Sequence, residues 1–201
     1  MDADTIPNHH RDHAGFGGVS GVLCALLFRV RHRNRSDLAI RLTGAGPGDI
    51  VVDIGCGSGA TARRAAALGA TAIGIDPAPV MLRVARLTSR HRRVRYAIGT
   101  AEALPVDDGA ATVVWSIATV HHWDDLDAGV AEVHRVLRPG GRFLALERRT
   151  TPDATGVASH GWTPERAQAF ADHLSSRGFT DVTIEEHGTD PTLLAVRAIR
   201  S

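Results

Sequence analysis

The chain contains no lysine: all 23 of its basic residues are arginine. Chemistry that needs a lysine amine is therefore excluded, from Schiff-base and pyridoxal catalysis to the phosphate-binding lysine of a P-loop. Cysteine is almost as scarce, with only Cys24 and Cys56. Two thiols cannot build a staple framework, and Cys56 sits inside a glycine-rich turn where a disulfide would be awkward, so a reducing, cytoplasmic setting is expected. Neither sign of charge dominates, because 23 basic residues face 22 acidic ones and leave a net charge of +1. That balance gives no electrostatic footprint for a nucleic acid, and none is expected as a partner. Long apolar runs are missing as well. Ala14 to Phe28 is uncharged but shorter than the roughly 20 residues a membrane span needs. His9, His10, Arg11, Asp12 and His13 precede it, Arg29, Arg31, Arg33 and Arg35 follow it, and no small-residue cleavage site is present, so it reads as a soluble helix.

What is there is the composition of a globular α/β domain, and 201 residues suit one such unit rather than two. Residues 1–48 carry His and Arg around an apolar centre, Val19 to Val30, and predict an N-terminal helical flap. A dense turn signal, Thr43-Gly44-Ala45-Gly46-Pro47-Gly48-Asp49, separates it from residues 49–201. From there strand and helix patterns alternate. Strands are predicted at Ile50 to Ile54, Ala70 to Ile75, Arg93 to Ile98, Ala110 to Ile117, Arg142 to Glu147, Asp181 to Glu186 and Thr192 to Ile199. Helices are predicted at Ser58 to Leu68, Pro77 to Thr88, Asp124 to Leu137 and Thr163 to Ser176, the last capped by Thr163. The pattern specifies a doubly wound, mostly parallel seven-stranded sheet with helices on both faces. With no helix between the last two strands, they should be antiparallel neighbours.

The chemistry concentrates at Val51-Val52-Asp53-Ile54-Gly55-Cys56-Gly57-Ser58-Gly59-Ala60. An acid ends the first strand and three alternate glycines turn the chain into a helix, whose N-terminus offers free N–H groups. Two cofactors compete for such a turn, since Gly55, Gly57 and Ala60 also satisfy the G-x-G-x-x-A form of the dinucleotide fingerprint. Asp53 bears on the choice. A carboxylate just before the turn repels a pyrophosphate, yet can serve a ligand that carries an ammonium group and no phosphate, such as S-adenosylmethionine. Asp76, after the second strand, can accept hydrogen bonds from both hydroxyls of a ribose and so supports a nucleoside of either kind.

Five pieces in order carry a resemblance. They are Val51 to Gly59, Gly74-Ile75-Asp76-Pro77 with Met81-Leu82, Gly99-Thr100-Ala101-Glu102-Ala103-Leu104-Pro105, His121-His122-Trp123-Asp124, and Arg135-Val136-Leu137-Arg138-Pro139-Gly140-Gly141. Over Asp49 to Glu147 the chain resembles a class I S-adenosylmethionine-dependent methyltransferase, close to the small-molecule subgroup that includes quinone-biosynthesis methyltransferases. The resemblance implies a Rossmann-like methyltransferase fold and S-adenosyl-L-methionine as cofactor. It also implies methyl transfer to O, N or C of a small-molecule acceptor by in-line displacement. By the same resemblance Gly55, Cys56, Gly57 and Gly59 cradle the methionine part after Asp53, and Asp76 with Pro77 holds the ribose. Met81, Ala101 and Glu102 border the adenine, and Ile117 lies beside the methionine moiety.

The chain departs from the family pattern at Thr100, where many relatives carry an Asp that meets the adenine amino group, and at Thr112, where a strand-opening Asp is common. Ser116 to Trp123 carries neither an Asn-Pro-Pro-Tyr-like motif nor the Pro-Cys of cytosine-C5 enzymes, which favours a small acceptor. His121 and His122 are the general-base candidates, since an imidazole can take a proton from a hydroxyl or amine near neutral pH. The N-terminal helices and the Arg148 to Trp162 connection are expected to wall the acceptor. No metal is expected: His9 and His13 stand one helical turn apart near His10, but no Cys or carboxylate cluster completes a site. The Arg runs Arg29 to Arg35 and Arg83 to Arg95 read as solvated faces. Membrane-surface contact through the apolar Val22 to Phe28 face is the lesser reading beside that. An NAD(P)-dependent oxidoreductase is the rival enzyme class, and it lacks a Tyr-x-x-x-Lys pair here, Tyr96 being the sole tyrosine. A cofactor-binding protein without catalysis is the third alternative.

Overall fold

The computed structural model describes residues 33–89, 91–188 and 191–201. A helix α1 (Arg33–Thr43) leads into β1 (Ile50–Ile54), α2 (Ala60–Ala67), β2 (Thr71–Asp76), α3 (Pro79–Thr88) and β3 (Val94–Ile98). There follow β4 (Ala111–Ile117), a 3-10 turn at Val120–His122, α4 (Leu126–Val136), β5 (Leu137–Arg148) and a second 3-10 turn at Gly156–Ser159. The chain closes with α5 (Pro164–Ser176), β6 (Phe179–His187) and β7 (Leu193–Arg200).

All seven strands share one sheet in the order β3-β2-β1-β4-β5-β7-β6. The pairings from β3 through β5 are parallel, and β7 is antiparallel to both β5 and β6. This is the doubly wound sheet with an antiparallel last strand that the pattern specified. The winding direction reverses between β1 and β4, so the loops at their carboxyl ends diverge and open a crevice, the place where such sheets bind ligands.

Strand alternation sends successive side chains to opposite faces and builds two cores. Val52, Ile54 and Val114 join Trp123, Phe143, Trp162, Phe170 and Phe179 in one, while Val51, Val113 and Trp115 join Leu38, Ala39 and Leu144 in the other. Helix α1 closes the second core, packing on α2, β4 and β5. The Trp115 indole N–H donates to Thr43 Oγ1 at 3.2 Å, which pins the end of α1 to the middle of the sheet. Of the N-terminal segment 1–48, residues 1–32 lie outside the described residues, and with them His9, His10, His13, Cys24 and Val22 to Phe28.

Several boundaries differ from the sequence reading for local reasons. Helix α3 begins at Pro79 rather than Pro77, because Asp76 Oδ1 accepts from the Ala78 amide at 2.9 Å and holds the intervening residues in a turn. Strand β5 begins at Leu137, which pairs with Ala111 before the register jumps to Arg142 opposite Val113. Arg138 to Gly141 is thus an excursion within the strand rather than a stop before it. Thr112 has structural work at the start of β1: its hydroxyl donates to Asp49 at 2.6 Å and accepts from the Ile50 amide at 3.0 Å.

Phe170 is 2% exposed and sits among Trp162, Phe143 and Trp123, with ring centroids 4.8, 6.2 and 6.5 Å away. Phe170→Ala should lower unfolding stability by about 3–5 kcal/mol in urea titrations. A loss below about 1 kcal/mol would show that this core is not packed as described.

Candidate active site

Three glycines after β1 adopt positive φ: Gly55 at 67°, Gly57 at 53° and Gly59 at 77°. Space forbids a side chain at two of them as firmly as the dihedrals do. A Cβ on Gly55 would fall 2.3 Å from Thr119 Cγ2, and one on Gly59 would fall 2.2 Å from the Tyr96 hydroxyl oxygen. The turn therefore passes bare backbone between β3 and the loop after β4. At Gly57 a Cβ would stand 3.3 Å from Met81 Cε, which places the Met81 thioether beside the middle of the turn.

Two carboxyls flank this turn. Asp76 ends β2 and accepts from the Gly57 amide at 2.8 Å and the Ala78 amide at 2.9 Å, one on each oxygen. Burial raises its pKa, and those two backbone bonds oppose the rise. Asp53 lies deeper, 2% exposed, and its Oδ2 is buried with no hydrogen-bond partner. Burial pushes the Asp53 carboxyl from 3.8 up to about 7; a hydrogen bond from the Ala62 backbone opposes the shift and the Asp76 charge adds to it. An unpartnered buried carboxyl oxygen is costly unless a cation or donor meets it. Burial, with the charges of Asp53 and Asp76, pushes the Cys56 thiol well up, which disfavours its thiolate form.

The remaining residues expected at the cofactor fall around the same edge. Pro77 follows Asp76 in the turn to α3, and Ile117 is the last, buried residue of β4. Ala101 is buried in the core with Ile75, whereas Glu102 Oε1 accepts from the amides of Asp124 at 2.8 Å and Asp125 at 3.3 Å. Glu102 thus ties the loop after β3 to the entrance of α4.

The loop after β4 turns sharply because Ala118 adopts φ 57°, with its amide donating to Leu146 O at 2.7 Å. That places Thr119 over the glycine turn, where its hydroxyl donates to Ile54 O at 3.1 Å, and brings the following histidines to the end of β5. Glu147, 1% exposed, accepts from the Val120 amide at 2.9 Å and pairs with His121 Nδ1 at 2.9 Å. His121 Nε2 is buried without a partner. His160 joins His121 and His122, with ring centroids 5.4 and 5.6 Å from theirs. Its placement depends on Gly161, where a Cβ would fall 2.1 Å from Arg148 O, and on the Trp162 amide donating to Arg148 O at 2.9 Å. Sequence reasoning singled out neither Glu147 nor His160. An acid closing an apolar strand, as Asp53 does, was the available signal for Glu147.

Residues 52–145 match the family model described as a methyltransferase domain. A malonyl-[acyl-carrier protein] O-methyltransferase from Serratia marcescens is 39% identical over 111 residues, 54% of this chain and 43% of that protein. A ubiquinone/menaquinone biosynthesis C-methyltransferase from Rubrivivax gelatinosus is 32% identical over 119 residues, 59% of this chain and 47% of that protein. The chain thus spans under half the length of these curated relatives. Among solved structures, a SAM-dependent methyltransferase from Aquifex aeolicus superposes with a TM-score of 0.71 at 16% identity, covering 83% of this chain and 89% of that one. Residues 52–145 thus match a methyltransferase-domain family, and the chain shares the Rossmann-like fold of the Aquifex structure.

Asp53 titrates higher in the folded chain than in the unfolded one. It costs the fold nothing below about pH 4 and progressively more as pH rises through about 7. Asp53→Asn should therefore stabilise the protein without cofactor at pH 8, on the order of a few kcal/mol, with the gain shrinking toward pH 4. Thermal unfolding across that range is the check, and a variant that melts below the parent at pH 8 would contradict the burial described.

Proposed function

We propose that the chain is an S-adenosyl-L-methionine-dependent methyltransferase acting on a small molecule. The observation that carries this reading is Asp53 Oδ2, buried and unpartnered at the entrance of the glycine turn. A pyrophosphate there would meet a carboxylate, whereas an ammonium group would relieve its burial cost. Bound in this crevice, S-adenosyl-L-methionine supplies an electrophilic sulfonium methyl and leaves as S-adenosyl-L-homocysteine.

The residues of the chain bind, orient and keep water out. Asp53 holds the ammonium, directly or through a water. Asp76 retains further lone pairs after accepting the Gly57 and Ala78 amides, and takes the ribose hydroxyls. The bare backbone from Gly55 to Gly59, with Cys56 in it, lies along the methionine moiety, with Ile117 opposite. Pro77, Met81, Ala101 and Glu102 border the nucleoside. His121 and His122 face the acceptor, and Glu147 fixes the His121 tautomer so that Nε2 carries the lone pair. With a sulfonium donor, positioning and water exclusion supply most of the acceleration. The names of the two curated relatives support an O- or C-acceptor of low molecular mass or carrier-bound. The scarcity of cysteine supports a reducing, cytoplasmic setting.

Titration calorimetry with S-adenosylmethionine, S-adenosylhomocysteine and NAD tests the cofactor. The first two should bind and NAD should not, and Asp76→Ala should weaken binding about 10- to 100-fold. NAD binding with no response to the other two would reverse the assignment. Transfer of a labelled methyl group to hydroxylated or quinol acceptors then tests the activity.

A further inference from the structure

His121 and His122 follow β4, His160 follows β5, and one nitrogen of each lies within 4.8 Å of the others. We propose that these three imidazoles bind a divalent transition ion of the zinc type, leaving one coordination position open to an oxygen of the acceptor. The role at the acceptor rests on the methyl-transfer reading; binding of the ion does not.

Four observations carry the site. First, Glu147 takes His121 Nδ1, so the Nε2 lone pair is the free one; a carboxylate behind a ligating histidine is the usual support of such an ion. Second, that Nε2 is buried without a hydrogen-bond partner, a cost that an ion would remove. Third, imidazole donors select zinc, cobalt, nickel or iron over magnesium and calcium, which prefer oxygen. Three protein ligands are the number found in zinc sites that keep an open position. Fourth, the Glu147 carboxylate is almost fully buried beside the cluster, and its negative charge favours a cation there.

Tetrahedral coordination with Zn–N bonds of about 2.05 Å sets ligand nitrogens about 3.3 Å apart, so the widest gap of 4.8 Å must close by about 1.5 Å. His122 is exposed and His160 half-buried on a connecting loop, so rotation of these two rings supplies that movement. The location also suits the purpose. Thr119, two residues before His121, packs on Gly55, which puts the cluster at the same sheet edge as the glycine turn. An acceptor hydroxyl bound to the ion would become more acidic and give its proton to solvent water rather than to His121, and the resulting alkoxide would form its bond to the methyl carbon as the carbon–sulfur bond breaks.

The test uses full-length protein with any purification tag removed, stripped with a chelator and then titrated with Co²⁺. We expect about one Co²⁺ per chain with the visible absorption of a four-coordinate site, displaced by Zn²⁺. His160→Ala and His122→Ala should each weaken retention at least about tenfold, and Glu147→Gln about 10- to 100-fold. Metal-free melting of each variant confirms folding, and loss at His160→Ala separates this site from His9, His10 and His13. No retained Co²⁺, or equal retention by His160→Ala, would overturn the proposal. S-adenosylhomocysteine affinity measured on the same samples keeps the two readings apart. Metal retention without cofactor binding would sink only the methyltransferase reading, and cofactor binding without metal only this one.

Discussion

Burial of the Asp53 carboxyl is the constraint around which the crevice is arranged. The group lies one residue before the end of a strand flanked by two parallel neighbours and is 2% exposed, and among the described residues the Ala62 backbone hydrogen bond is the one counterweight to its desolvation. Asp76 lies close enough to add its own charge. Two carboxyls gathered at one glycine turn make the empty fold less stable than it could be. Such a cost is commonly stored where a charged ligand will later repay it. The proposal of a phosphate-free, ammonium-bearing cofactor rests on that arrangement rather than on the glycines, which would serve a dinucleotide equally well.

The rest of the site is held by topology. Because β4 lies between β1 and β5, the loop after β4 touches the glycine turn on one side and Glu147 on the other. Thr119 fills the space that a side chain on Gly55 would need, and the left-handed Ala118 gives the loop the bend to reach there. A non-glycine residue in that region costs about 1 kcal/mol, which the contacts of Thr119 and Val120 offset. The cofactor crevice and the imidazole cluster are thereby coupled through four consecutive residues of one loop.

Much of this was legible in the sequence. The run Ile50 to Ile54 with its glycines, the second acid at Asp76 and the helix-free link between the last strands are local signals, and they specify the sheet and its crevice. The illegible parts have non-local or ambiguous causes. Leu137 fits both the end of a helical face and the start of a strand, and only its pairing with Ala111 decides between them. Thr112 looked like a departure from the family pattern; its bonds to Asp49 and Ile50 form only once β1 and β4 are adjacent. Alanine carries no turn signal, so the bend at Ala118 was invisible. His160 and Glu147 meet His121 only through the β4–β5 pairing and the return of the chain at Gly161.

The most direct test of the central claim is the proton balance of cofactor binding, read by titrating S-adenosylhomocysteine in buffers of different ionisation enthalpy. If Asp53 is protonated in the empty crevice and gives up its proton to face an ammonium, about one proton should be released per cofactor near pH 6, falling toward zero above about pH 8. Asp53→Asn should abolish the release. Binding near pH 6 with no proton released, or with the same release in Asp53→Asn, would contradict the account.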